Sequence, residues 1–224
     1  MIQAVLFDLD GTLLDRDASV RRLVNRQYHT FSTTMSHVPK DAFITRFMEL
    51  DARGYVGKDE VYRQLANEFQ LNDATLQTLY DYFYTHYHQH CVPFPGLLTL
   101  LKTLVTQGIK LGIITNGGQA FQTKSIDALK IAPYFSTIVT SEQEGIRKPD
   151  PQIFQRALQR LGATANAAAF VGDHPIADVG GAQRAGLKAI WKRDPFWQAP
   201  AQCDGIINQL SEIVPLIQRW GRGQ

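Results

Sequence analysis

The stretch Ala4-Val5-Leu6-Phe7-Asp8-Leu9-Asp10-Gly11-Thr12 joins an apolar run to a pair of acids and a turn. An apolar run this short, closed by Gly11-Thr12, reads as a buried strand of a parallel sheet. Side chains alternate faces along an extended chain, so Asp8 and Asp10 project to one side and Leu9 to the other. The two carboxylates therefore converge just past the strand's carboxyl end, where open parallel sheets bind their ligands. Such a pair can hold a divalent cation and leave one oxygen as a nucleophile, or it can simply cap a turn, and this stretch alone leaves both readings open.

Downstream of Thr12-Leu13-Leu14 the period changes from strand to amphipathic helix. Val20, Leu23, Val24, Gln27, Tyr28 and Phe31 mark one helical face, and Phe43, Ile44, Phe47 and Met48 a second. Val61, Leu65 and Phe69 mark a third, and Leu76, Leu79, Tyr80, Phe83 and Tyr87 a fourth, with Asn72 or Asp73 as its cap. Val92-Pro93-Phe94-Pro95-Gly96 stops the helical pattern.

Strand-like and helical stretches then alternate. Strands are expected at 110–115, 136–140, 167–172, 188–191 and 204–208, and helices at 97–104, 119–129, from Pro151, at 176–185 and from Ser211. This alternation predicts an α/β fold, a Rossmann-like parallel sheet flanked by helices and joined by right-handed crossovers. The predicted domains are a core of residues 1–14 and 93–224 and an inserted four-helix module of residues 15–92, placed as a lid over the strand ends.

With 224 residues, 44% of them hydrophobic, the chain can bury a large core. The balance of 23 Lys and Arg against 21 Asp and Glu gives no electrostatic case for nucleic acid or an acidic membrane surface. Cys91 and Cys203 are too few for a disulfide framework and lack metal-type spacing, so reduced thiols are expected. No apolar run reaches membrane-spanning length and none at the amino terminus resembles a secretion signal, which predicts a soluble, cytoplasmic protein. The sequence leaves monomer and homodimer both open.

Three further polar clusters fall after expected strands: Thr115-Asn116-Gly117-Gly118, Arg147-Lys148-Pro149-Asp150, and Gly172-Asp173 through Asp178. Singly, each has an ordinary reading as a turn, a solvated lysine or a helix cap. Together they bring hydrogen-bond donors, a positive charge and further acids to the sheet edge that carries Asp8 and Asp10, a set suited to a phosphate.

In these motifs, in their order, and in the helical insertion after the first of them, the chain resembles the haloacid dehalogenase-like hydrolase superfamily over nearly its whole length, in the branch whose helical cap follows the first motif. The resemblance implies a magnesium-dependent phosphatase of a small phosphorylated metabolite. Asp8 would be the nucleophile that forms an aspartyl phosphate, and Asp10 the acid and then the base. Thr115 and Asn116 would bind phosphoryl oxygens, and Lys148 would offset charge. Mg2+ would be held by Asp8, the backbone carbonyl of Asp10 and Asp173, while Asp178 would bind through water or orient Lys148.

In the cap, the resemblance implies that the polar loop 51–58 contacts the leaving group; its Arg53 and Lys58 would suit an anionic or nucleotide-like group, or simply lie in solvent. His86, His88 and His90 are expected to be surface histidines rather than metal ligands, and His174 a loop residue. Gly180-Gly181 is expected to permit close helix packing. A phosphosugar mutase and a haloacid dehalogenase share the expected fold, although a dehalogenase has no leaving oxygen for Asp10 to protonate. From another class, a phosphoacceptor signalling domain uses similar groups but lacks a cap insertion.

Overall fold

The computed structural model describes residues 1–222. Met1–Leu14 and the chain from Pro93 onward form one compact unit, and Asp15–Val92 a second.

In the first unit a six-stranded parallel sheet runs in the order β3-β2-β1-β4-β5-β6, with β1 at Ala4–Phe7, β2 at Lys110–Thr115, β3 at Thr137–Thr140, β4 at Ala168–Gly172, β5 at Lys188–Lys192 and β6 at Gly205–Ile207. The apolar run of β1 is wholly buried because both of its neighbours, β2 and β4, are strands and both sheet faces are covered. Ala4 and Leu6 share a core with Phe170, Ile114 and the apolar side of α8 (Pro151–Leu161), which packs on β2 and β3. Helix α8 starts as its sequence dictates, with Asp150 capping the Gln152 N–H and Pro151 at the first position.

The pairing of Phe7 with both Ile113 and Val171 aligns the carboxyl ends of β1, β2 and β4. The chain builds outward from β1 through β2 and β3, then returns to add β4, β5 and β6 on the other side. The edge beside β1 and β4 is thus the switch point at which such sheets form a crevice.

One expected element differs. Residues 176–185 do not form a single α-helix: Pro175–Gly180 is wound wider, with the Val179 N–H reaching back to the His174 carbonyl at 3.2 Å, and only Gly181–Arg184 (α9) is α-helical. Pro175 brings no N–H, and the His174 Nδ1 takes the N–H groups of Ile176 and Ala177 at 3.1 Å. Gly180 and Gly181 add little helical preference of their own. Gly181 packs closely on α8, since a Cβ there would lie 2.8 Å from the Phe154 ring.

The second unit contains α1 (Arg16–Thr30), α2 (Lys40–Asp51), α3 (Lys58–Glu68) and α4 (Asp73–His86), with Asp15 and Asn72 as side-chain caps of α1 and α4. Leu23, Phe43, Phe47, Leu65, Leu79 and Phe83 are buried, and the rings of Phe47 and Phe83 stack at 5.9 Å. Gln27 sits on the apolar face because its amide is satisfied there, donating to the Leu79 carbonyl at 2.7 Å and accepting from the Tyr62 hydroxyl at 3.0 Å.

Between α2 and α3, Ala52, Arg53 and Gly54 all take positive φ. Asp51, fully buried, receives both Arg16 Nη1 at 2.6 Å and Nη2 at 3.1 Å, and also pairs with Lys58. Gly54 makes room for that guanidinium, because a Cβ there would stand 2.8 Å from Arg16 Nη2. Among the described residues no helix is long and apolar enough to cross a membrane.

Candidate active site

Asp8 follows the last residue of β1, and its N–H continues the ladder to the Val171 carbonyl at 2.9 Å, so its side chain leaves the sheet at a defined point. Asp8 is 6% exposed, and its carboxylate accepts from Lys148 Nζ at 2.5 Å. The same ammonium lies 2.7 Å from Asp178 Oδ1. Lys148 is itself positioned through its backbone: Asn116 Nδ2 donates to the Lys148 carbonyl and the Lys148 N–H donates to Asn116 Oδ1, both at 2.9 Å. The Asn116 carboxamide, expected on phosphoryl oxygens, thus uses its oxygen and one amide hydrogen to hold the lysine loop.

Asp173 follows β4. Its carbonyl accepts from the Trp191 indole at 2.7 Å and its Oδ2 from the Trp197 indole at 3.1 Å. Gly11, at φ +84°, lets the first-motif turn close against it, since a Cβ on Gly11 would lie 2.6 Å from Asp173 Oδ2. The buried Lys192 secures that turn by donating to the Gly11 carbonyl at 2.9 Å. The wide-wound segment carries Asp178 back toward Lys148, with Asp178 Oδ2 accepting the His174 N–H at 3.0 Å.

Asp8, Asp173 and Asp178 each present an oxygen within 4.8 Å of the others, and all three are buried. Burial pushes the Asp8 carboxyl well above its ordinary value; Lys148 pulls the other way, and Asp178 and Asp173 add to the rise. Burial works against the charge of Lys148, but Asp178 and Asp8 outweigh it and hold the ammonium above the ordinary lysine range. Three buried carboxylates, two of them paired with one lysine, form a hard, oxygen-only donor set with excess negative charge, which fits Mg2+.

Asp10 is not one of this group of three acids. Gln122 Nε2 reaches Asp10 Oδ2 at 2.7 Å and Thr115 Oγ1 at 2.9 Å, tying the first motif to the end of β2. Gln122 lies in α6 (Gln119–Ala128), outside the four motifs; its one signal in the sequence is a polar side chain three residues before Ser125 and four before Ile126 on the same helical face. The two indoles on Asp173 and the Lys192 contact were likewise outside the motif reading.

Arg53 belongs to the other unit, where its Nε lies 3.6 Å from Asp17 Oδ2. Lys58 does not lie in solvent, the second of its expected readings, because its ammonium is buried against the Asp51 carboxylate. His86 bonds the Tyr82 carbonyl through Nδ1 and stacks on the Tyr82 ring, and His174 serves as a cap. Among the described residues the Asp8, Asp173 and Asp178 group is the only cluster of metal-ligand type.

The family model of haloacid dehalogenase-like hydrolases matches residues 5–192. A glyceraldehyde 3-phosphate phosphatase of Pyrococcus abyssi (strain GE5 / Orsay) is 30% identical over 205 residues, spanning 85% of this chain and 81% of the relative. A HAD phosphatase from Thermococcus onnurineus superposes with a TM-score of 0.68 at 27% identity, over 96% of this chain and 98% of the other. A 2-haloacid dehalogenase from Pseudomonas syringae pv. Tomato DC3000 gives a TM-score of 0.64 at 30% identity, over 98% of this chain and 100% of the other.

Proposed function

We propose, from the premise that this chain belongs to the haloacid dehalogenase-like hydrolase family, that it is a magnesium-dependent phosphatase of a small phosphorylated metabolite. The observation that carries this reading is Asp10, held beside Thr115 by Gln122 in addition to the Asp8 and Lys148 pair. A dehalogenase expels halide, which needs no proton, whereas a phosphatase expels an alkoxide, which does. The relative that bears the name glyceraldehyde 3-phosphate phosphatase supports a small phosphate ester as substrate.

In this reaction an Asp8 oxygen attacks phosphorus as the ester P–O bond breaks, and Asp10 gives its proton to the leaving oxygen. The product is an aspartyl phosphate. Asp10, now a carboxylate, takes a proton from the water that attacks phosphorus, releasing inorganic phosphate and restoring Asp8. Thr115 donates to a phosphoryl oxygen, Lys148 offsets charge on Asp8 and the phosphoryl group, and Asn116 holds Lys148 in place. Asp8, Asp173 and the Asp10 carbonyl would hold Mg2+, with Asp178 orienting Lys148. When bound, the ion supplies positive charge that offsets repulsion between the carboxylates and the phosphate. The units formed by residues 1–14 with the chain from Pro93, and by residues 15–92, serve as catalytic core and cap, and Arg53 is assigned to contact with the leaving group.

The test is phosphate release from p-nitrophenyl phosphate and glyceraldehyde 3-phosphate by the purified protein with Mg2+. Steady multiple turnover is expected, lost on chelation and reduced to background in Asp8→Asn. Full activity in Asp8→Asn, or halide release from 2-chloropropionate without phosphatase turnover, would overturn the reading. Preferential transfer from a sugar bisphosphate to a sugar monophosphate would reassign the protein as a mutase.

A further inference from the structure

We propose that Gln122 is a positioning residue whose carboxamide determines which Asp10 oxygen carries the transferable proton and which way the Thr115 hydroxyl donates. The proposal rests on the phosphatase reading above and extends it to a residue outside the four motifs.

Gln122 is 4% exposed and projects from the start of α6. An amide nitrogen has two hydrogens, and Nε2 has two acceptors in reach, Asp10 Oδ2 at 2.7 Å and Thr115 Oγ1 at 2.9 Å. Asp10 Oδ2 is therefore occupied as an acceptor, so a proton on Asp10 resides on Oδ1. Thr115 Oγ1 likewise accepts from the amide, so its own hydrogen points away from Gln122 and is available to a phosphoryl oxygen.

Two features show that the donor side of the amide is built into the site. Gln122 Oε1 is buried without a hydrogen-bond partner, so the amide is placed for the sake of its nitrogen. Turning the amide over would set Oε1 to accept the Asp10 proton and the Thr115 hydroxyl hydrogen, drawing both away from the leaving oxygen and the phosphoryl group. Gly117 also leaves the space the side chain occupies, because a Cβ there would lie 2.8 Å from Nε2 and 3.0 Å from Cγ. A single amide thus couples the acid of the first motif to the hydroxyl of the second.

The experiment compares two esters on the Mg2+-loaded protein. p-Nitrophenolate leaves without a proton, whereas the alkoxide from glycerol phosphate must be protonated as it departs. Gln122→Met, which keeps the volume and removes both donors, is expected to slow both esters through Thr115 and to slow the alkyl ester about 10-fold further through Asp10. In an Asp10→Asn background the same substitution is expected to leave the aryl-to-alkyl ratio unchanged, because the group it orients is gone.

Equal losses on the two esters, or no loss, would overturn the proposal and reduce Gln122 to a packing residue. Should Gln122→Met fail to fold by circular dichroism, Gln122→Asn keeps a neutral amide at this position. Its side chain is one methylene too short to reach Asp10, so the same shift in ratio is expected and an unchanged ratio is equally decisive. Wild-type protein inactive on both esters would overturn the phosphatase reading and this proposal with it. Wild-type turnover that requires Asp8, with an unshifted ratio in the variant, would overturn the Gln122 assignment alone.

Discussion

Lys148 is held at both ends, its backbone by the Asn116 carboxamide and its ammonium between Asp8 and Asp178. Asp8 and Asp178 keep the ammonium charged despite burial, which suits Lys148 to the proposed role of a fixed positive charge. Lys148→Ala is expected to lower kcat by about 100- to 1,000-fold, the loss seen when a preorganised electrostatic group is removed. Lys148→Arg should not restore it, because a planar guanidinium cannot place one point charge between two carboxylates in a cavity filled by an ammonium. Steady-state kinetics on p-nitrophenyl phosphate check both outcomes. The assignment of Lys148 fails if the alanine variant retains wild-type kcat.

Secondary-structure elements carry a second set of polar contacts that no motif marks. The join between α2 and α3 contains a buried carboxylate, Asp51, with Arg16 and Lys58 on it. Burial works against the Asp51 charge, but the two cations outweigh it and hold the carboxyl below its ordinary value of 3.8. Lys58 moves down as well, since burial outweighs its attraction to an acid it shares with Arg16. For an acid whose folded pKa is depressed, the stabilisation is present above the unfolded value and is lost as pH falls through the folded one. At pH 7, Asp51→Asn should therefore lower unfolding free energy by about 3 kcal/mol, leaving two cations without their buried partner. In urea melts at progressively lower pH the gap between variant and wild type should close below 3.8. A gap independent of pH would remove the ion trio as its cause.

Across the whole molecule, loops distant in sequence bring together three buried carboxylates, two of them paired with Lys148. Burial, opposed by Lys148 and reinforced by Asp178 and Asp173, raises the Asp8 carboxyl, so ionised Asp8 costs the fold stability at neutral pH and the cost disappears as the group is protonated in acid. Millimolar Mg2+ should consequently raise Tm at pH 7, by an amount corresponding to about 2.7 kcal/mol at a 100-fold excess over Kd. Chelator should return Tm to the metal-free value, and Asp173→Asn should abolish the shift. A Tm indifferent to Mg2+ in the wild-type protein would count against the metal assignment.

The parallel sheet was legible in the amino-acid sequence because its strands are short apolar runs buried on both faces, a pattern that depends little on context. The same alternation put Asp8, Thr115 and Asp173 at strand ends, and parallel strands in register carry such ends to one edge. The wide winding of Pro175–Gly180 was not legible, since side-chain acceptance by His174 competes there with ordinary helical bonding. Nor were the tie from Gln122 to Asp10 across 112 residues, the Asn116 clamp on Lys148 across 32, or the Trp197 indole on Asp173 across 24. Local pattern determined which residues reach the edge of the sheet; only tertiary packing decided which of their polar atoms meet, because a hydrogen bond needs a rotamer and a distance that hydrophobic periodicity does not encode.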